Sequence, residues 1–254
     1  MLINLRNALM AGKRTPTAKD YLQSGLVAMW DGIENAGWGV HDASATVWKD
    51  LIGGYACPIS SNASVLADCL ATASSLNLTA QKLKTPQALA SAINADVLTI
   101  EFVGSLRCGS TNSDGIAGVF YSSAIRPLSV YAVNAESGTV RRIRGSMLAT
   151  SGVAVGPSTK IATRNNVRRF SMSIVFNSGT MTTYLNGAYI GANTYAPSQS
   201  ASATTNMNLT LMYSTAGGNY FDGEACGLRF SSRALTAEEI ARNYAIDKAR
   251  FGLP

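Results

Sequence analysis

The stretch from Phe170 to Gly191, FSMSIVFNSGTMTTYLNGAYIG, constrains the fold of this chain most. Phe170, Met172, Ile174 and Phe176 alternate with Ser171, Ser173 and Val175, which sets two different faces on one strand. Asn177-Ser178-Gly179 turns the chain, Met181 to Leu185 runs back, and Asn186-Gly187 turns it again. Asn-Gly is a strong short-range hairpin signal, because both residues tolerate positive φ. The segment therefore reads as three antiparallel strands joined by tight turns.

The same reading extends over the chain. Gly25 to Trp30 and Val47 to Leu51 read as strands, the second closing in a Gly53-Gly54 turn. Leu76 to Leu83, Val97 to Leu106, Ile116 to Tyr121, Leu128 to Val133, Thr139 to Arg144, Met207 to Tyr213 and Cys226 to Ser231 follow. In Val97 to Leu106, Leu98, Ile100 and Phe102 alternate with Thr99, Glu101 and Val103, which predicts one buried face. TNSDG (Thr111 to Gly115) and NAESG (Asn134 to Gly138) supply turns. Many short strands at such spacing specify a sandwich rather than a βαβ fold. Charged residues make up 14% of the chain, against about 25% in an average soluble domain. Ser, Thr, Asn, Gly and Ala fill the gap, as suits sheets with neutral polar faces.

One helix stands out near the C-terminus. Thr236 with Glu239 three residues later forms a capping box. Ile240, Tyr244 and Phe251 recur at helical spacing and should face the sheets. Lys248 and Arg250 suit the last turn, and Gly252 and Pro254 end it. Weaker helical signals lie at Ile3 to Met10 and after Thr85-Pro86. Residues 1–24 are basic and polar and are expected to form an N-terminal arm, either a frayed end or a tether to a neighbour. Residues 25–254 form the domain.

Composition excludes several classes. No apolar run reaches the ~18 residues of a membrane span. MLINLRNALMAGKR lacks the ~7–15-residue apolar core of a signal peptide. The net charge of +6 is a modest excess, spread along the chain except for Arg141, Arg142, Arg144, Arg168 and Arg169, and these are read as a solvated strand face rather than a phosphate or acidic-glycan site, with no nucleic-acid partner expected. Cys57, Cys69, Cys108 and Cys226 contain no CxxC pair, so they are expected as reduced, buried fillers, without zinc. No full Asp-x-Asp-x-Asp loop is present, so no calcium site is assigned. No cofactor is expected.

Tyr184, Asn186, Gly187 and Gly191 resemble the Tyr-x-Asn-Gly hairpin of concanavalin A-like, laminin G-like jelly rolls. Gly223, Leu228, Arg229, Phe230, Arg233, Ala234, Leu235, Thr236, Glu239, Ile240, Asn243 and Tyr244 resemble the ending of the same superfamily. The openings GLVAMWDGIENAGWG and WKDLIGG look like its first strands. The resemblance implies an all-β fold: a two-sheet antiparallel jelly-roll sandwich, concanavalin A-like, with one C-terminal helix. WDGIEN and IARNYAIDKARF look most like domains in bacteriophage virion proteins and gut-bacterial surface proteins.

That resemblance implies a binding module. The expectation is a non-enzymatic virion protein, part of a head decoration, fibre or tail, assembled in the host cytoplasm. Its expected partners are other virion proteins and glycans of a host or mucosal surface, with self-association into a homo-oligomer. The alternatives are a purely structural assembly protein and a bacterial surface carbohydrate-binding domain. Glycoside hydrolases on this fold carry Glu-x-Asp-x-(x)-Glu on an inner strand, supplying the two carboxylates the reaction needs. Glu34, Glu101, Glu136, Glu224, Glu238 and Glu239 have no Asp two residues on. His41, the single histidine, has no GxSxG-type nucleophile motif to serve and reads as structural. Trp30 and Trp48 lie in apolar strand contexts and read as core. Trp38 lies between glycines in a loop, and Tyr189 and Tyr195 follow the hairpin near where relatives place ligands. These three are the candidate ligand-binding residues.

Overall fold

The computed structural model describes residues 14–59, 63–72, 97–106, 113–120, 128–135, 140–149, 152–163, 166–196, 208–211, 213–214, 219–220 and 223–254. The expected strand at Leu76 to Leu83, both weaker helical signals and Cys108 lie outside these residues. The strands in chain order are β1 (Leu26–Asp31), β2 (Val47–Lys49), β3 (Ala56–Pro58), β4 (Ala63–Val65), β5 (Leu70–Thr72), β6 (Val97–Leu106), β7 (Ser113–Phe120), β8 (Leu128–Ala135), β9 (Val140–Ala149) and β10 (Gly152–Val155). They continue with β11 (Thr159–Thr163), β12 (Asn166–Val167), β13 (Phe170–Asn177), β14 (Thr180–Leu185), β15 (Ala188–Thr194), β16 (Asn208–Leu211), β17 (Tyr213–Ser214), β18 (Asn219–Tyr220) and β19 (Gly223–Ser231). Among the described residues, one α-helix, α1 (Ala237–Phe251), follows β19.

Two antiparallel sheets make the sandwich. The first runs β15-β14-β13-β6-β19-β5-β4, with β1 also paired to β19. The second runs β12-β11-β9-β8-β7-β16, with β10 on β9. The expected hairpins form: Ser178 and Asn186 take positive φ, each followed by a positive-φ glycine, Gly179 and Gly187. Such primed turns match the twist of the flanking strands.

Leu98, Ile100 and Phe102 of β6, Met172, Ile174 and Phe176 of β13, and Leu228 and Phe230 of β19 form the inter-sheet core with Val130 and Ile143 of the second sheet. Trp30 and Trp48 are wholly buried there, as read from the sequence. Trp48 donates its indole N–H to the Asp31 carbonyl at 2.9 Å. The sheets approach closely at Gly145, where a Cβ would lie 2.9 Å from Ile174.

Five expectations need correction. Val97 to Leu106 does not have one buried face: every residue from Leu98 to Leu106 is buried. Its second face, with Thr99, Glu101 and Val103, lies under a polar and apolar cover rather than under water. Residues 14–24 are not a detached arm. They include a 3-10 turn (Ala18–Asp20), and Ala18 and Tyr21 are fully buried in a cluster with Leu26, Met29, Leu51 and Ile246. The arginines do not share one solvated face. Arg142 and Arg144 are half-buried, and Arg169 binds Asp68 and Glu224. Arg250 does not merely complement the helix dipole: it is buried and donates to Asp31 and Glu34. At the predicted TNSDG turn, Ser113 to Gly115 already belong to β7.

Candidate functional site

The two-residue turn at Asn186-Gly187 sets Leu185 opposite Ala188 and Tyr184 opposite Tyr189. Their rings meet edge to face, with centroids 5.9 Å apart and planes at 74°. That geometry is favoured by the ring quadrupoles. Tyr184 is backed by a cluster containing Val175, Leu235 and Ile240. Tyr189 is 61% exposed, on the terminal strand of its sheet. A large aromatic face is thus held toward solvent by a braced partner.

Tyr195 points the other way. After Tyr184 pairs Tyr189, Thr183 pairs Gly191, so Ile190 is an extra residue and the alternation of β15 flips there. Position 191 then faces Pro157, and Thr183 donates its hydroxyl to the Pro157 carbonyl at 3.2 Å. Tyr195 packs against the inter-sheet core. The structure therefore separates Tyr189 and Tyr195 onto opposite faces.

Trp38 sits in a third place. Gly37 and Gly39 both take positive φ, and Val40 N donates to the Gly37 carbonyl at 2.9 Å. Glu34 accepts the Gly39 N–H at 2.8 Å, tying the loop down. Trp38 is 37% exposed and Val40 50%. Lys19 Nζ lies 5.6 Å from the Trp38 ring centroid, a cation–π distance. His41 donates from Nδ1 to the Ile33 carbonyl at 3.1 Å, the structural role read for it.

The residues that carry the superfamily-like ending have a different task. Arg229 of β19 donates to Asp247 of α1 at 2.8 and 2.9 Å and to Glu101 of β6 at 3.1 Å. Its guanidinium stacks 4.1 Å from the centroid of Tyr21. Asn243 donates to Glu101 at 2.9 Å, and Ser173 approaches the other Glu101 oxygen at 3.5 Å. Tyr21 and Ser171 each donate to Asp247 at 2.7 Å. Burial and the Asp247 charge hold the Tyr21 phenol well above its ordinary range. Glu101, the carboxylate that a hydrolase would have to use, is 2% exposed and occupied by three donors. It ties α1 to the sheet through Asn243, while Tyr21 and Leu22 of the 14–24 segment bond Asp247 and Asn243 of α1.

Among the described residues, one group has metal-ligand chemistry. The sulfurs of Cys69 and Cys226 and a Glu224 carboxylate oxygen lie within 4.8 Å of one another. Arg169 donates to Glu224 at 2.7 Å and reaches Cys69 Sγ at 3.5 Å, placing its own positive charge in the group.

Residues 171–241 match the family model described as the concanavalin A-like lectin/glucanases superfamily. The match spans β13 to the start of α1, and the two antiparallel sheets have the sandwich architecture of a concanavalin A-like jelly roll. A Trypanosoma rangeli sialidase in complex with 2,3-difluorosialic acid is similar in structure, with a TM-score of 0.59 and 13% identity over 92% of this chain. The jelly roll covers 34% of that protein. The botulinum neurotoxin serotype D binding domain is similar with a TM-score of 0.57 and 12% identity, over 87% of this chain and 51% of that one. The chain thus spans about a third of the first and about half of the second. At such identities the likeness is one of fold. No curated protein sequence matches the chain.

Sequence reasoning had one missed signal within reach. A two-residue Asn-Gly turn makes positions 184 and 189 cross-strand partners, so the Tyr184 brace was readable. The Lys19–Trp38 stack was not, because it joins a presumed arm to a loop.

Proposed function

We propose that this jelly roll is a non-enzymatic binding module that recognises glycans or a host surface on a bacteriophage particle. The observation that carries the binding reading is Tyr189, an exposed aromatic face braced by Tyr184 on the terminal strand. Tyrosine supplies apolar area and a polar tip at little cost in side-chain entropy. Trp38, half exposed in its glycine-bounded loop, offers a second contact. The burial of Glu101 among Arg229, Asn243 and Ser173 supports binding rather than glycoside hydrolysis. Placement on a virion, beside other virion proteins, rests on the likeness of WDGIEN and IARNYAIDKARF to domains of bacteriophage virion proteins, a likeness shared with gut-bacterial surface proteins.

A second reading is favoured by one feature. Ile190, the extra residue of β15, is 38% exposed next to Tyr189 on the terminal strand, which suits packing between subunits. The test is glycan-array binding followed by titration of the hits, with wild type, Tyr189→Ala and Trp38→Ala. Binding that weakens about tenfold or more in Tyr189→Ala supports recognition; tenfold corresponds to about 1.4 kcal/mol. No glycan binding, with self-association that Tyr189→Ala abolishes, favours the assembly reading. Mass spectrometry of purified particles tests the virion placement separately.

A further inference from the structure

We propose that Cys69 and Cys226 are a disulfide-forming site, two thiols that exchange with a glutathione-type disulfide to become one cross-link. The register brings them together. Glu224 lies opposite Ala71 and Ala225 opposite Leu70, so one further antiparallel step sets Cys226 opposite Cys69. The Cys69 carbonyl accepts from Leu66 N and the Cys226 carbonyl from Gly32 N, each at 2.8 Å. Gly32 follows β1, which shares the β5 edge of β19, so the Cys226 carbonyl points to the side where Cys69 lies and is capped there by Gly32. The two sulfurs lie within 4.8 Å of one another. A hydrogen bond to Cys69, with burial, holds the Cys226 thiol well above its ordinary range.

Access is the second question, since both residues are wholly buried. Cys69 lies in the turn between β4 and β5, two three-residue strands at the end of the sheet, and packs with Cys226, Val103, Phe251 and Leu253. Opening that hairpin frees Cys69 before Cys226, which sits on a strand paired to β6 and β1. Arg169 Nη2 lies 3.5 Å from Cys69 Sγ, within hydrogen-bond reach of it. The Cys69 thiolate attacks one sulfur of oxidised glutathione, forming a mixed disulfide and releasing one glutathione thiolate. Cys226, losing its proton, attacks the Cys69 sulfur and releases the second glutathione. Two protein thiols are oxidised and one glutathione disulfide is reduced to two thiols. Arg169 already supplies positive charge beside Glu224 and Asp68, which favours a dithiol here over a metal centre.

The test equilibrates the full chain with reduced and oxidised glutathione at a reducing and an oxidising ratio. Acid quench, denaturation, alkylation and peptide mass spectrometry then read each cysteine. The expected result is a peptide joining Cys69 to Cys226 at the oxidising ratio and two alkylated thiols at the reducing one. The cross-link closes a long loop, so the Tm should rise by on the order of 10 °C. In Cys226→Ala the cross-link disappears and Cys69 carries a glutathione adduct instead. If that variant does not fold, the wild-type mapping alone decides. Both thiols alkylated at the oxidising ratio would overturn the proposal. So would stoichiometric zinc that survives dialysis and shields both thiols.

Discussion

Arg229 and Asp247 meet in a two-pronged pair, at 2.8 and 2.9 Å, with almost no solvent on either side chain. The pair joins a central strand to the last helix. Desolvating two charges is costly, so its net worth is small, but breaking one half strands the other. Asp247→Ala leaves Arg229 with Glu101 and removes the acceptor for Tyr21 and Ser171. The expected loss is about 3–5 kcal/mol, read from urea unfolding. A loss below about 1 kcal/mol, as for an exposed pair, would mean that the cluster does not hold the helix.

The segment before the first strand is part of the same assembly. Tyr21 fills the space beside Arg229 and donates to Asp247. Ala18 N donates to Glu34 at 2.7 Å, and Leu22 N to Asn243 at 3.2 Å. A chain starting at Gly25 would uncover Leu26, Met29, Leu51 and Ile246. It should unfold at a lower Tm and at lower urea than the full chain. Tyr21→Phe isolates the hydroxyl and should cost about 1–3 kcal/mol, the penalty of a buried group left without its donor. Equal stability of the shortened and full chains would restore the view of residues 14–24 as a detached arm.

These two results bear on what the sequence could reveal. Local signals were legible: the Asn186-Gly187 turn, the alternation from Phe170 to Phe176, and the Thr236–Glu239 box all form as read. What failed depended on partners far away in sequence. Glu101 looks like a solvent-facing position in an alternating strand, and nothing near it announces Arg229 or Asn243. Arg250 looks like a dipole-complementing surface residue, and its acceptors Asp31 and Glu34 lie at the other end of the chain. The candidate aromatics were scattered for a subtler reason. Tyr189 and Tyr195 have the same parity, but the extra residue Ile190 inverts it.

Thr236 makes the start of α1 a local test of that legibility. Glu239 N donates to its hydroxyl at 3.3 Å, and Glu239 accepts the Thr236 N–H at 2.9 Å. Arg233 forks onto the same carboxylate at 2.7 and 2.8 Å and holds the Glu239 carboxyl below its usual range. Thr236→Ala should cost about 1 kcal/mol by urea unfolding. Thr236→Ser should restore most of it. No difference between the two variants would show that the Arg233 fork alone fixes the helix start.

Asp20 provides a pH-dependent test. The Arg14 guanidinium, first, and the Thr17 backbone and hydroxyl donors hold its carboxyl down at about 2 despite some burial. An unfolded Asp titrates near ~3.9. A depressed folded value means that the contribution is present above about pH 4 and is lost as pH falls toward 2. A carboxyl-carbon NMR titration should find the Asp20 midpoint near 2. Arg14→Ala should move it up toward the ordinary value. A wild-type midpoint already near ~3.9 would show that Arg14 and Asp20 do not pair in solution.

Gly104 tests the close contact of the two central strands. It has no space for a side chain, since a Cβ there would lie 2.0 Å from the Glu224 carbonyl oxygen. The obstacle is backbone, so a rotamer change cannot relieve it. β19 makes its register shift against β6 between Ala225 and Gly227, beside this contact. Gly104→Ala must therefore push β19 away from β6, straining the ladder on which Cys226, Leu228 and Arg229 depend. The expected cost is about 1–3 kcal/mol or more, the range for overpacked cores, with hydrogen-exchange protection lost first at Ala225 to Arg229. Gly227→Ala is the control: its Cβ would find its nearest neighbours at 3.8 Å, an ordinary contact. Comparable losses from both variants would mean that backbone flexibility, rather than the approach of Gly104 to Glu224, sets the need for glycine here.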